Sequence, residues 1–361
     1  GDNLEDNVAA LRNAIDRCDI VVASGGLGPT ADDLTREAIA AAAGVELVED
    51  AAALEHIKNL FARRRREMPE RNRLQAQFPR GSRVVPNPEG TAPGIDLTVA
   101  RSCGPPCRIF ALPGVPAEMF AMWAATVAPA ISRSQPTGRV ICHRRIKCFG
   151  VGESDLEAML PDMIRRKREP VVGITVSGAT ITLRITTSGP NAAACHKDME
   201  PTVAQIRDLL GVLVFGEEKD ELQDAVGRLL EERGETVAVV ENGTNGLVSR
   251  WLLEANPIVY RGGISWGDDA AAVQNLLEEV DISANPENIA KALANLIRQK
   301  SKADWGLAAV ARGELHVALA SAEDLHAKHF PLLTHSAILK SWAAKHTLNT
   351  LRLALIRSNA Q

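Results

Sequence analysis

Val21–Glu37 reads VVASGGLGPTADDLTRE and joins a short apolar strand to a glycine-rich turn and an acidic helix start. Ile20–Ala23 is β-branched and apolar, the pattern of a strand buried on both faces of a parallel sheet. Gly25, Gly26 and Gly28 follow at once, and without a Cβ they let backbone N–H groups approach an anion. Pro29 and Thr30 are expected to open a helix, whose first N–H groups are unpaired and electropositive. A phosphate group fits such a turn.

Thr30-Ala31-Asp32-Asp33 also has the spacing of a capping box, so Asp33 has two readings, helix cap or metal ligand. A second carboxylate beside a phosphate cradle is what a divalent ion needs, because such ions bind one or two carboxylates plus substrate oxygens. Asp32 is the better metal candidate. Asn72, Arg73 and Gln75 offer amide and guanidinium groups suited to base, ribose or phosphate. Asn87, Gly90, Thr91 and Gly94 suggest a second turn closing on the ligand, although Asn72 and Asn87 serve equally well as turn or helix caps. Glu118 is either a third carboxylate for the metal or a first-turn acid favoured by the helix dipole.

Elsewhere the chain gives broader limits. Its 361 residues, 45% of them hydrophobic, suffice for two or three domains. A net charge of −4, one Tyr and seven Phe argue against a nucleic-acid partner. The basic runs Arg63–Arg66 and Arg165–Arg168 read as solvated helix faces, with a diphosphate contact as the alternative. No apolar run approaches the roughly 18 residues of a membrane span, so no membrane partner and a cytoplasmic location are expected. Six cysteines form no secreted-type framework, and Cys103-Gly-Pro-Pro-Cys107 lacks the second pair a structural zinc requires.

Three long strings carry a family resemblance: GGLGPTADDLT, then MPERNRLQAQFPRGSRVVPNPEGTAPG over Met68–Gly94, then LPGVPAEM over Leu112–Met119. In order and spacing they resemble the amino-terminal, molybdopterin-binding-like domain of the CinA family. GVGESDLEAMLPDMI and VVGITVSGATITLRITT resemble, more loosely, its KH-like middle domain. The resemblance implies an α/β protein of three parts. These are a three-layer α/β/α domain over 1–127, a small α+β KH-like domain over 139–216, and an α/β carboxy-terminal domain over 220–361.

In the first part, strands are expected near Ile20–Ala23, Arg83–Val85 and Arg108–Ala111, with helices at Leu4–Cys18, Asp33–Ala43, Ala51–Glu67 and Pro116–Ala125. Their alternation implies a parallel sheet covered on both faces, with ligands outside the carboxyl ends of the strands. Family members carry a further strand and helix with a GDELL-like motif ahead of the loop matched by Gly1-Asp2-Asn3, so an exposed sheet edge is expected. In the second part, Ser154 or Asp155 is expected to cap a helix from Leu156 to Arg166, and Thr175–Thr187 to form a hairpin turning at Gly178-Ala179. Gly150-Val-Gly-Glu lacks the GXXG loop with which KH modules clamp RNA, which makes this domain structural.

In intact members the carboxy-terminal domain is a nicotinamide mononucleotide deamidase with an ESCTGG motif. Here Val237–Leu247 reads VAVVENGTNGL, so Glu241, Thr244 and Gly246 match while Asn242, Gly243 and Asn245 do not. A carboxamide cannot replace an activatable hydroxyl. The family's downstream tyrosine and lysine fall near Trp266 and Ala271 or Ala272, and its TG.AGP loop is replaced by Ala311–Glu314 running into the next strand. Deamidase activity is therefore expected to be absent, leaving a module for packing or homodimerisation with Trp251, Trp266 and Trp305 in or near its core.

For the amino-terminal domain the resemblance implies a metal-dependent pyrophosphatase acting on ADP-ribose and giving AMP and ribose 5-phosphate. Asp32 and Asp33 would be catalytic through a bound divalent ion. Two alternatives stand beside it: a degenerate nucleotide-binding or regulatory module without turnover, and pterin-phosphate handling in molybdenum cofactor synthesis.

Overall fold

A computed structural model describes residues 3–101, 103–134, 138–165, 168–267, 280, 285–332 and 334–357. The chain forms two compact units, Gly1–Thr137 and Gly138–Gln361.

The first unit is built on a sheet of β1 (Ile20–Ser24), β6 (Cys107–Leu112), β5 (Gly94–Val99) and β4 (Arg83–Val85), in that order. β1 and β6 are parallel, but β5 and β4 are antiparallel to their neighbours, so the sheet is mixed where a parallel one was expected. Residues 86–93 and 100–106 are too short to hold the crossover helix that parallel neighbours need. The smaller strands β2 (Leu47–Glu49) and β3 (Gln77–Pro79) pair separately.

β6 is buried on both faces. Cys107, Ile109 and Ala111 join Ile15, Ile39, Ile57 and Ile95 in one core, while Phe110 and Leu112 join Val85, Met122 and Val127 in another. Helices α1 (Leu4–Arg17), α2 (Thr35–Ala43) and α3 (Ala51–Arg63) contribute to the first core, and α4 (Pro116–Met122) and α5 (Ala128–Ser134) to the second. This is the α/β/α layering. β1 is an edge strand among the described residues rather than one buried on both faces, and Val22 on it is 46% exposed.

Helix ends in this unit depart from the sequence expectation. α3 ends at Arg63, with Arg65 at φ 53°, where four consecutive arginines crowd like charge. The π-turn Trp123–Val127 extends α4 beyond Met122.

The second unit holds two sheets. One runs β10 (Val214–Glu217), β7 (Val140–Cys148), β9 (Thr180–Gly189), β8 (Val171–Ser177), all antiparallel. Gly178 and Ala179 turn the β8–β9 hairpin, both at positive φ, as a two-residue hairpin loop requires. Helix α6 covers Glu153–Met159, not Leu156–Arg166, and Ser154 and Asp155 lie within its first turn. Pro161 disfavours helical backbone at Leu160, which sits at φ −122°. Helix α7 (Ala192–Leu210) packs Met199, Val203 and Ile206 onto this sheet.

The other sheet runs β12 (Tyr260–Trp266), β11 (Val237–Asn242), β13 (Trp305–Arg312), β14 (Glu314–Ala320), β15 (Leu325–Pro331). β11 is parallel to both neighbours and wholly buried. Alternate residues of β11, β13 and β14 feed two cores. Val237, Leu307 and Val317 face α8 (Leu222–Arg233), α9 (Leu247–Ala255) and the helix Leu339–Arg357, and Val240, Ala308 and Ala318 face the helix Pro286–Ser301. Trp251 and Trp305 pack against the first core and Trp266 against the second.

The two sheets share a core rather than separate at 216–220, since Phe149 and Phe215 pack among residues of Leu339–Arg357. Lys345 on that helix donates to Thr180 at 2.6 Å and pairs with Glu221 at 3.3 Å, and Arg352 donates to the carbonyls of Val212 and Val214.

Gly306 sets how closely the helix Pro286–Ser301 lies on β13, because a Cβ there would overlap the backbone carbonyl of Ala294. Gly306→Ala is expected to lose about 1–3 kcal/mol through overpacking. Urea unfolding followed by tryptophan fluorescence measures it, and an unchanged midpoint would show that the helix can move aside without cost.

Candidate functional site

The glycine loop leaves the carboxyl end of β1 and is tied down on its carbonyl side. Gly25 N–H donates to the Leu112 carbonyl at 2.9 Å, joining the loop to the end of β6. Thr35 donates its hydroxyl to Gly25 O at 2.8 Å and its N–H to Gly26 O at 3.1 Å. Arg36, only 3% exposed, donates to Leu27 O at 2.5 Å and Gly28 O at 2.8 Å. Burial pulls the Arg36 pKa below its ordinary value, with Glu37 and Asp33 opposing that shift. The N–H groups of Gly26 and Leu27 have no partner among the described residues. Gly26 is partly exposed, whereas Leu27 is only 1% exposed.

Gly25 and Gly26 take φ of 91° and 67°, which other residues rarely adopt. At Gly26 a Cβ would overlap the Thr35 hydroxyl, and at Gly28 it would overlap the Asp33 carboxylate. These two glycines thus make room for the loop's own supports, in addition to any ligand.

Pro29 and Thr30 do not open a helix. Asp33 accepts from the Thr30 N–H at 2.9 Å and the Thr30 hydroxyl at 2.5 Å, closing a separate turn, and α2 begins only at Thr35 with Leu34 at its N-cap. The capping-box spacing therefore makes a turn ahead of the helix. Burial works to raise the Asp33 pKa, but hydrogen bonds from Thr30 and Gly28 and the charge of Arg36 outweigh it and hold the carboxyl below its ordinary value. Asp32 is exposed, with no hydrogen-bond partner among the described residues.

Two further segments abut the loop. Gln75 extends its amide toward the Leu27 carbonyl at 3.5 Å and accepts from Asn72 at 2.8 Å, both side chains being buried. Gly114, in the Leu112–Pro116 turn, approaches Gly25 so closely that a Cβ would lie 3.4 Å from its Cα. Arg73 is not drawn in. Its guanidinium pairs with Glu49 at 2.5 Å and with Glu70 at 3.7 Å on the surface.

The second turn is organised by Asn87, which is 1% exposed. Its amide donates to Ala92 O at 2.9 Å and Glu118 Oε2 at 2.7 Å, and its oxygen accepts from Glu89 and Gly90 N–H at 3.1 and 2.9 Å. All four bonds an amide can make are used, so Asn87 acts as the turn's own clasp. Glu118 closes over Gly90, where any Cβ would overlap it. Thr91 is half-buried, and Gly94 lies inside β5, where a Cβ would meet the Ala111 carbonyl at 2.6 Å. Gly94 is thus a sheet-packing glycine, not part of the turn.

Among the described residues no group of three or more His, Cys, Asp or Glu side chains could hold a metal ion. Asp32 and Asp33 are nevertheless a fitting pair for an ion that draws its other ligands from water and phosphate. Sequence reasoning missed Thr35, Arg36 and Glu37, whose Oε2 is buried without a partner among the described residues. An arginine in the first turn of a helix opposes the helix dipole, and that anomaly was the available signal.

At the carboxy-terminal motif, Glu241 is fully buried and accepts from the Thr244 hydroxyl at 2.5 Å, from Val248 and Ser249 N–H at 3.1 and 2.9 Å, and from the Ser249 hydroxyl. Thr244 is itself fully buried. Asn242 donates to the carbonyls of Trp266 and Gly267 at 3.2 and 2.9 Å. Gly243 has φ 83°, and a Cβ there would overlap that of Ala311. β13 and β14 join through Gly313 alone, so no glycine-rich loop intervenes. Ala271 and Ala272 lie outside the described residues.

The Asp33 bonds bear on pH. Because its folded pKa is depressed, they stabilise the loop above the ordinary aspartate pKa of about 3.9, and this is lost as pH falls through the folded value. Hydrogen exchange of residues 24–37 is expected to be faster in Asp33→Asn than in wild type at pH 7, with the difference vanishing in acid. Equal exchange at pH 7 would remove Asp33 as a support.

Comparison with known proteins places the chain in a family. Residues 1–133 match the family model described as "Probable molybdopterin binding domain", and residues 143–216 match "Damage-inducible protein CinA KH domain". A CinA-like protein from Nostoc sp. is 36% identical over 85% of this chain and 73% of its own length. Another from Frankia casuarinae is 32% identical over 98% and 87%. A crystal structure of CinA from Thermoplasma acidophilum has 38% identity, covering 36% of this chain and 72% of that one, with a TM-score of 0.31. With this identity extending along most of its length, the chain belongs to the CinA family.

Proposed function

We propose that the amino-terminal unit hydrolyses the diphosphate of ADP-ribose or a similar nucleotide, and that the carboxy-terminal domain does not deamidate nicotinamide mononucleotide. The observation that carries the first part is the glycine loop, whose carbonyls are held by Thr35 and Arg36 while the N–H groups of Gly26 and Leu27 stay unpaired. Such donors recognise phosphate oxygens and strengthen as negative charge builds on them.

Hydrolysis adds water across the P–O–P bridge, giving AMP and ribose 5-phosphate from ADP-ribose. The loop would hold one phosphate, and Gln75 and Asn72 would line its flank. A divalent ion, when bound, neutralises phosphate charge and lowers the pKa of water. Asp32 and Asp33 would hold it. Asp33, kept anionic by Thr30 and Gly28, suits that role better than proton uptake near neutral pH. The altered carboxy-terminal motif, where Asn242 and Gly243 supply no nucleophile, favours, as a second reading, a nucleotide-binding module without turnover. Pterin phosphate is the further ligand to test in the same cradle.

Asp32→Asn is expected to abolish Mg²⁺-dependent ADP-ribose hydrolysis with little change in melting temperature, read by AMP release. Activity equal to wild type would exclude the ion role. Affinity for ADP-ribose with no turnover in wild type would favour the binding module.

The second part rests on three features: Asn242 offers no nucleophile, Gly243 has no room for one, and the Gly313 hairpin supplies no loop of oxyanion donors. Ammonia release from nicotinamide mononucleotide by the full chain is expected to stay at background. Turnover that Thr244→Ala abolishes would show that the buried hydroxyl has taken over the reaction.

A further inference from the structure

At the opposite end of the five-stranded sheet from Asn242, where β11 and β13 begin, a cavity of about 760 Å³ is lined by residues including Arg298, Asp304, Trp305, Glu323, Lys328 and Arg357. That size is in the range of small-molecule sites. One wall is fixed. Arg233 grips Glu235 with two bonds of 2.8 Å, Trp305 donates to the same carboxylate at 2.7 Å, and Asp304 Oδ2 accepts from the N–H and hydroxyl of Thr236 at 2.8 and 2.7 Å.

The cations on the remaining walls are not used in this way. Arg298 Nε is buried without a hydrogen-bond partner among the described residues. Lys328 and Arg357 make no ion pair or hydrogen bond among them either. A buried guanidinium N–H is costly to leave unpaired, and such groups in native proteins have a partner in protein, water or ligand. Three unpaired cations around one cavity suit the oxygens of a phosphate. Asp304 Oδ1 and the carboxylate of Glu323 offer acceptors for hydroxyl groups on the same ligand.

We propose that this cavity binds a phosphorylated sugar, with the phosphate on Arg298, Lys328 and Arg357 and the sugar hydroxyls on Asp304 and Glu323. The site is independent of the glycine loop, which lies in the other unit.

Calorimetry on the full chain with ribose 5-phosphate, inorganic phosphate and ribose tests it. Ribose 5-phosphate is expected to bind more tightly than phosphate, and ribose not at all. Arg298→Met and Lys328→Met should each weaken binding about tenfold or more, the loss of one charge-assisted bond, with circular dichroism unchanged. Lys328 is exposed on β15, so its variant decides the matter even if Arg298→Met misfolds. Asp32→Asn should leave this binding intact. Absence of heat with all three probes, or equal affinity in Lys328→Met, would overturn the proposal. Binding that survives both cavity variants but is lost in Asp32→Asn would place the ligand at the glycine loop and overturn it too.

Discussion

The guanidinium of Arg36 beneath the glycine loop is the contact on which the amino-terminal site depends. A run of three glycines in four residues has little reason to hold one shape, because glycine loses more backbone freedom on ordering than any other residue. Two carbonyls bonded to one buried cation, with Thr35 holding two more, offset that cost. The charge is expensive to bury, and its pKa is lowered accordingly. Asp33 and Glu37 partly compensate it. Loop, helix start and turn are therefore one electrostatic unit, from which neither the glycines nor the acids can be removed independently.

Much of the architecture was legible in the sequence, and the failures have definite causes. β1, β4 and β6 follow from apolar runs, and α3 starts at Ala51 as expected, where the Asp50 carboxylate accepts from Ala53 N–H. β5 was invisible because Pro93-Gly94 reads as a turn, whereas Gly94 is required by the close approach of the Ala111 carbonyl. That one strand converts a parallel sheet into a mixed one. The site was legible as segments: the loop, Asn72–Gln75 and Leu112–Pro116 do adjoin. Individual roles were not. Arg73 and Asn87 were plausible ligand contacts by chemistry alone, but their partners Glu49 and Glu118 are distant in sequence and no local pattern announces them.

The second unit illustrates a different constraint. The helix Leu339–Arg357 carries Lys345, His346 and Arg352 into a core shared by two sheets. Burial lowers the pKa of His346 to about 4 and of Arg352 to about 10. His346 stacks among Phe149, Phe330 and Trp342, with ring centroids 4.2–4.9 Å away. The boundary expected at 216–220 marks a change of sheet and not a break in packing. A polar helix with little apolar sidedness gave no sign of this, because its polar groups are satisfied by distant carbonyls and hydroxyls.

The contact between Gly243 and Ala311 also limits what position 243 can carry. With only hydrogen at position 243, the Ala311 methyl occupies the space that a side chain there would need. A side chain placed at 243 alone would collide with that methyl and sit at an unfavourable positive φ. The two positions are coupled: each is acceptable with the other as it stands, and a side chain at 243 needs a smaller residue at 311.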